Sequence, residues 1–175
     1  MARWKMQSSQ KIAESTLFEL KEHKVSLPNG NEKTYTIFDL PDFAAVLPVF
    51  DDKIVLIKNY RYPVDKNILE IPAGFIEKGE EPRKAAQREL EEETGYLLKE
   101  CEKLCEYHPV ASLNDQVAHL FSGPVKKGGK IDREEGEEME VTTLSISKVY
   151  EMLENNEISH PHTQIALYRA EKYLK

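Results

Sequence analysis

Gly74-Phe-Ile-Glu-Lys-Gly-Glu80-Glu-Pro-Arg-Lys-Ala-Ala-Gln-Arg88-Glu89-Leu90-Glu-Glu92-Glu93-Thr-Gly95-Tyr96 is the stretch from which the rest of the chain is best read. Pro82 to Thr94 are good helix formers, Pro82 suits the first helical turn, and Gly95 suits the position just past the end. At about 100° per residue, Glu89 and Glu93 stand one turn apart with Glu92 beside them, so three carboxylates share a face. Glu91 is expected to point away towards solvent, and Ala86 and Leu90 define the stripe that should be buried. Like charges at this spacing repel, so the cluster costs helix stability unless something positive sits on it. Hard oxygen donors at this density suit Mg²⁺ or Mn²⁺. Arg88 is placed to orient a carboxylate through paired hydrogen bonds. Most Glu-rich helices are simply solvated; the company of Gly74, Glu80, Arg88 and Gly95 sets this one apart.

Upstream of the helix the pattern has a period of two. Residues 9–40 read as a β-meander, with strands at Thr16-Leu-Phe-Glu-Leu-Lys and Lys33-Thr-Tyr-Thr-Ile-Phe around the turn Pro28-Asn-Gly-Asn. Ala44–Phe50 and Ile54–Lys58 are apolar and β-branched, joined by Asp51-Asp-Lys, and Leu69-Glu-Ile is a short strand leading into Pro72-Ala-Gly. Downstream, strands are expected at Leu104–Tyr107, Val117–Ser122 and Glu140-Val-Thr-Thr-Leu. Two helices follow: Lys148–Asn155, with Ser147 as its N-cap, and about Thr163–Leu174. Strands, a central helix, more strands and terminal helices predict an α+β fold of the α/β/α sandwich kind.

With 175 residues, 40% of them hydrophobic, the chain suffices for one domain with a real core, so 1–175 is read as a single domain. The formal net charge of −7 disfavours coating of nucleic acid, although phosphates can still bind where metal ions reverse the local sign. Cys101 and Cys105 have no second pair and no neighbouring His pair, so they read as ordinary thiols rather than a zinc site or disulfide framework. Met1-Ala-Arg-Trp-Lys carries no apolar signal core, and the longest apolar run, Phe43–Phe50, is too short for a bilayer and contains Pro48. A cytoplasmic protein without a membrane partner is expected.

The quoted segment resembles the Nudix box, G-x5-E-x7-R-E-U-x-E-E-x-G-U, where U is a bulky aliphatic residue. Every fixed glycine and polar position matches; the one departure is Tyr96 at the final U, a structural position. The resemblance implies a Nudix-type α/β/α sandwich with a mixed sheet and a loop–helix–loop box over 74–96. It implies Glu89, Glu92 and Glu93 as metal-binding or metal-organising carboxylates, with Arg88 bracing them and Glu80 and Gly74 as auxiliary members.

Outside the box, Tyr60-Arg61-Tyr62-Pro63 and Leu69-Glu70-Ile-Pro72-Ala73-Gly74 resemble the branch of the family that cleaves ADP-ribose and nucleoside diphosphate sugars. That resemblance implies that Arg61 contacts substrate phosphates and that the Ala73 carbonyl ligates a metal. Glu70 is the acceptor for the base or a partner subunit. Similar enzymes carry a Glu-x-Glu shortly before a strand. Aligning on Met139-Glu140-Val141 within the acidic run 132–141 gives Glu135 as general base and Glu137 as a further ligand, with Glu134 and Glu138 as the neighbouring alternatives. Downstream, Ala111-Ser112 replaces a common Pro-Gly, and Gln116 stands where an acidic residue is common, which opens the substrate to other nucleoside diphosphate sugars. Trp4, Tyr35 and Phe38 are candidates for stacking on a nucleobase, Trp4 foremost; core packing is the plain alternative. The strand-rich segment 1–42 is expected to pair with a second copy, giving a homodimer.

The function expected is Mg²⁺-dependent hydrolysis of the diphosphate of ADP-ribose or a related nucleoside diphosphate sugar, Mn²⁺ being a substitute. The products are a nucleoside monophosphate and a sugar phosphate. The competing readings are a Nudix-fold nucleotide sensor without catalysis, which would commonly lose box carboxylates, and a hydrolase for another nucleoside diphosphate derivative. A simple Ca²⁺ module lacks EF-hand spacing.

Overall fold

Alternate residues of the apolar run 43–50 bury themselves on opposite sides of one sheet, and this sets the layering. The structure is a computed structural model describing residues 3–133 and 138–174. In chain order the strands and helices are β1 (Lys5–Glu14), β2 (Glu19–Ser26), β3 (Glu32–Asp39), β4 (Phe43–Phe50), β5 (Lys53–Arg61), β6 (Lys66–Glu70), β7 (Ala73–Phe75), α1 (Pro82–Thr94), β8 (Tyr96–Leu98), β9 (Glu102–Tyr107), β10 (Ala118–Lys127), β11 (Met139–Ser145), α2 (Ile146–Glu154) and α3 (Pro161–Leu174). They divide into two compact units: residues up to Asp42 with His108–Val117, and Phe43–Tyr107 with the residues from Ala118 onward.

The larger unit is a mixed sheet in the order β11-β5-β4-β10-β8, with β6 on β5, β7 on β4 and β9 on β10. β10 runs parallel to β4; the other pairs are antiparallel. On one face Phe43, Ala45 and Leu47 of β4 and Ile54 and Leu56 of β5 pack with Val149, Tyr150 and Leu153 of α2 and Ala166, Leu167 and Ala170 of α3. On the other, Ala44, Val46 and Val55 pack with Ala85, Ala86 and Leu90 of α1. The period of two therefore divides one strand between two cores, which is the expected α/β/α sandwich. A strand buried on both faces has to be apolar throughout, and this explains the run Phe43–Phe50.

The smaller unit is a three-stranded antiparallel sheet, β1-β2-β3. The β3 backbone and the 108–117 segment are tied together by Phe38 N–H donating to the Leu113 carbonyl at 3.0 Å and by the Tyr35 hydroxyl donating to the Ser112 carbonyl at 2.7 Å. The strand expected from Thr16 begins later. Ser15 Oγ accepts from the backbone N–H of Leu17 and Phe18, each at 3.2 Å, and folds residues 15–18 into a turn before β2. All of β1 is exposed along its length. Its register with β2 shifts between Met6 and Ser8 and between Lys11 and Ala13, which interrupts any simple alternation.

The cap of α2 is Ser145 rather than Ser147: its Oγ accepts from Lys148 N–H at 3.2 Å. The helix starts two residues earlier than expected because β11 runs directly into it. Among the described residues no helix is long and apolar enough to cross a membrane.

Candidate active site

α1 carries the site because its sequence can do two jobs at once. Ala85, Ala86 and Leu90 are wholly buried and fix one face against the sheet. Full burial of Leu90 alone is worth about 1.5–3 kcal/mol, which outweighs roughly 0.2–0.5 kcal/mol of repulsion for a like-charged pair one turn apart. The helix stops where expected: Gly95 adopts φ 70° and donates its N–H to the Glu91 carbonyl at 2.8 Å.

On the opposite face Arg88 is the hub. Its Nε and Nη2 donate to the two oxygens of Glu80 at 3.1 and 3.0 Å, the paired geometry read from the sequence. Nη1 donates to Glu89 at 2.7 Å and Glu92 at 3.0 Å, and Nη2 also reaches the Phe75 carbonyl at 3.0 Å. These bonds, the one to Glu80 foremost, push the Arg88 pKa up, so the guanidinium stays charged. They also hold the Glu80 carboxyl below the usual range. Glu80 accepts from Glu77 N–H at 3.0 Å as well, which closes the loop ahead of the helix.

Glu93 turns the other way. It is buried, and its Oε2 accepts from Ala73 N–H at 3.0 Å, joining α1 to β7. Gly74 lies beside it for a steric reason: a Cβ there would sit 2.0 Å from Glu89 Cδ. The glycine leaves the room in which the Glu89 carboxylate lies. Glu91 is not simply turned to solvent. Half-buried, it accepts from Lys130 N–H at 3.2 Å.

Three carboxylates, Glu80, Glu89 and Glu92, thus gather about one guanidinium, with the Glu93 carboxylate on the neighbouring Ala73 amide. Among the described residues no three His, Cys, Asp or Glu side chains surround a single point as a finished metal cage. Glu89 and Glu92 face Arg88 while Glu93 faces the Ala73 amide. The donor set nonetheless fits a hard divalent cation: all oxygen, net negative, partly desolvated and pre-aimed by an arginine. Glu135 and Glu137, with Glu134, lie outside the described residues; Glu138 is exposed.

Arg61 and Glu70 sit at the ends of β5 and β6. Arg61 reaches back along the ladder, and its Nε and Nη2 donate to the two Glu70 oxygens at 2.9 and 2.5 Å. Glu70 is nearly inaccessible while Arg61 is half exposed, so the buried carboxylate aims the exposed guanidinium. Trp4 belongs to the smaller unit. Its ring meets Tyr35 edge-on with centroids 6.2 Å apart, and Lys33 Nζ lies 5.6 and 5.2 Å from the two rings. Phe38 packs edge-on against Phe18 at 5.4 Å.

Sequence reasoning missed Arg133. Its Nε and Nη2 donate to the Glu93 carbonyl at 3.1 and 2.7 Å, and its Nη1 donates to the Met139 carbonyl at 2.7 Å. Asp132 N–H caps the Glu92 carbonyl at 2.9 Å and Gly129 N–H the Gly95 carbonyl at 3.0 Å. Residues 129–133 therefore satisfy the carbonyls at the end of α1, and a cation sits where the helix dipole is negative and the carboxylates crowd. The available signal was a lone arginine heading an acidic run.

The NUDIX domain family model matches residues 40–164. The chain is 34% identical over 163 residues to the ADP-ribose pyrophosphatase of Bacillus subtilis, covering 91% of this chain and 88% of that protein. It is 34% identical over 162 residues to the methanol dehydrogenase activator of Bacillus methanolicus, with the same coverages. The fold is similar to a crystal structure of an ADP compounds hydrolase, with a TM-score of 0.89 and 20% identity over 99% of this chain and 95% of that one. With the box residues gathered about Arg88 and the family pattern extending over most of its length, the chain belongs to the Nudix hydrolase family.

Proposed function

We propose that this Nudix enzyme hydrolyses the diphosphate linkage of ADP-ribose or a related nucleoside diphosphate sugar, releasing a nucleoside monophosphate and a sugar phosphate, with Mg²⁺ as its ion and Mn²⁺ as a substitute. The observation that carries the reading is the Arg88-braced carboxylate face of α1, where Glu80, Glu89 and Glu92 converge on one guanidinium. The Bacillus subtilis relative, named an ADP-ribose pyrophosphatase, supports the substrate class.

Glu89, Glu92, Glu93, the Ala73 carbonyl and Glu137 would hold the divalent ion. When bound, it neutralises phosphate charge and lowers the pKa of water. Glu135 takes the proton from the attacking water, worth about 10²–10⁴-fold for a general base. Arg61, aimed by Glu70, binds the phosphate oxygens. Arg88 keeps Glu80, Glu89 and Glu92 in fixed orientation, so little reorganisation is needed when charge develops. Trp4 reaches the base of a substrate held by a second copy, across the dimer interface.

The homodimer belongs to the same proposal. β1 is an edge strand, exposed throughout, with Met6 and Ile12 among the large exposed hydrophobics. Such an edge needs a partner or a blocking device. Sedimentation at micromolar concentration tests this: a monomer with full activity removes both the dimer and the base stacking assigned to Trp4.

The substrate is tested with a hydrolysis panel of ADP-ribose, ADP-glucose, GDP-mannose, diadenosine polyphosphates and nucleoside triphosphates, each with and without Mg²⁺. Preference for any of the first three supports the reading, and cleavage of triphosphates alone overturns it. Glu135→Gln is expected to lower kcat and Glu137→Gln to weaken metal affinity. Loss confined to Glu134→Gln or Glu138→Gln moves the assignment by one residue.

A further inference from the structure

We propose that Thr163 and His160, at the start of α3, are positioning residues for this site. They lock the backbone at Ile71, and through it Glu70 on one side and Ala73 on the other. The inference rests on the functional reading above.

β6 ends at Glu70 and β7 begins at Ala73. Only Ile71 and Pro72 lie between, both buried. Buried backbone groups need partners, and Pro72 has no N–H to give. The Pro72 carbonyl accepts from Val46 N–H of β4 at 3.1 Å, and Ala73 N–H goes to Glu93 of α1 at 3.0 Å. Ile71 N–H donates to Thr163 Oγ1 of α3 at 3.0 Å, and both residues are inaccessible to solvent. The bend that joins the Arg61–Glu70 clamp to the Ala73 carbonyl is therefore held from three elements, and α3 supplies its hold through one hydroxyl.

That hydroxyl is itself held. His160 Nδ1 lies 3.0 Å from Thr163 Oγ1. Burial and the nearby Arg61 disfavour a charged His160 ring, and the neutral ring shares a hydrogen bond with the hydroxyl whose oxygen accepts from Ile71. The start of α3 is anchored as well. His162 Nδ1 is hydrogen-bonded to the Tyr107 hydroxyl of β9, and its ring centroid is 4.5 Å from that of Phe43 on β4. A functional group is held tightly only when its supporting shell is rigid, and α3 has both the contact and the anchor for that role. Neither residue lies in the box.

The test compares Thr163→Val, which keeps shape but loses the hydroxyl, with Thr163→Ser, which restores it. His160→Phe is compared in the same way with His160→Asn, whose side-chain amide can replace Nδ1 as the hydrogen-bond partner of the hydroxyl. Three quantities are measured: the hydrogen-exchange rate of the Ile71 amide, the affinity for Mn²⁺ alone, and kcat with KM for ADP-ribose. Thr163→Val is expected to speed Ile71 exchange, weaken Mn²⁺ binding and lower kcat/KM by about 10–10²-fold, since a misplacement near 1 Å costs about 10²-fold. Thr163→Ser and His160→Asn should recover most of each loss. If Thr163→Val does not fold, the His160 pair decides by the same criteria. A folded Thr163→Val or His160→Phe protein with unchanged Mn²⁺ affinity and kinetics overturns the inference. So does a serine or asparagine variant that loses as much as its partner. A wild-type protein that cleaves nothing in the panel removes the functional reading instead, and the exchange and Mn²⁺ measurements still judge the positioning role.

Discussion

Replacing Gly74 with alanine should leave the fold nearly intact and disable the enzyme. The added Cβ would lie 2.0 Å from Glu89 Cδ and 2.1 and 2.3 Å from its oxygens. Ordinary carbon contacts are about 3.5–4.0 Å, so the carboxylate must retreat by about 1.5 Å. The retreating group is the end of a flexible side chain, and an off-rotamer torsion costs about 0.5–1.5 kcal/mol. Alanine in a strand regains about 0.5–1 kcal/mol over glycine. The two nearly cancel, and Tm should shift by no more than about 4 °C for a chain of this size. Metal ligands, in contrast, must be placed within about 0.2 Å. We expect kcat/KM to fall at least about 10²-fold, which is about 2.7 kcal/mol of transition-state stabilisation, and the Mg²⁺ requirement to rise. The assay is a thermal melt paired with steady-state kinetics across a Mg²⁺ titration, repeated for Glu89→Gln and the double variant. Because both changes strike one carboxylate, the double variant should be little worse than the poorer single one. Normal kinetics in Gly74→Ala, or losses that add, would refute the packing argument.

Glu93→Gln should fold, since the amide oxygen can still accept from Ala73 N–H, yet turn over orders of magnitude more slowly; near-normal turnover at saturating Mg²⁺ removes Glu93 from the metal site. Urea denaturation should show Arg61→Ala costing about 3–5 kcal/mol because it strands the buried Glu70 carboxylate, and Glu70→Gln costing clearly less because Arg61 is half exposed; equal losses contradict the clamp. Arg133→Met removes charged donors from the Glu93 carbonyl and should cost about 1.5–3 kcal/mol with weaker Mn²⁺ binding, and unchanged Mn²⁺ affinity would confine Arg133 to a fold-stabilising role. Burial lowers the pKa of both His160 and His162 from 6.5 to about 4, so the unfolded chain takes up protons that the folded one refuses in that window. Their contribution is intact above pH 6.5 and is lost as pH falls towards 4, by up to the order of 3 kcal/mol per ring, so a urea midpoint that stays flat between pH 7 and 4.5 is the contrary result.

The sequence alone determined what depends on local spacing. Pro82 and Gly95 bound α1 as read, the period of 3.6 puts Glu89, Glu92 and Glu93 near one another on the helix, and the apolar residues 44–50 form the strand expected there. These follow from backbone geometry that any chain obeys. Ser147 was misread as a cap because serines at 145 and 147 are equally good candidates locally, and only the end of β11 decides between them. The start of β2 escaped because a side-chain hydroxyl at Ser15 competes with strand pairing over a few residues. What only tertiary structure decided is which distant residues share an atom's surroundings. The Thr163 hydroxyl meets the Ile71 amide 92 positions earlier, Arg133 caps the Glu93 carbonyl 40 positions back, and Glu70 is committed to Arg61. No spacing rule encodes these pairs, because the chain between them is a sheet and its crossings. Each pair arises where a buried polar group must find a partner once the core has closed.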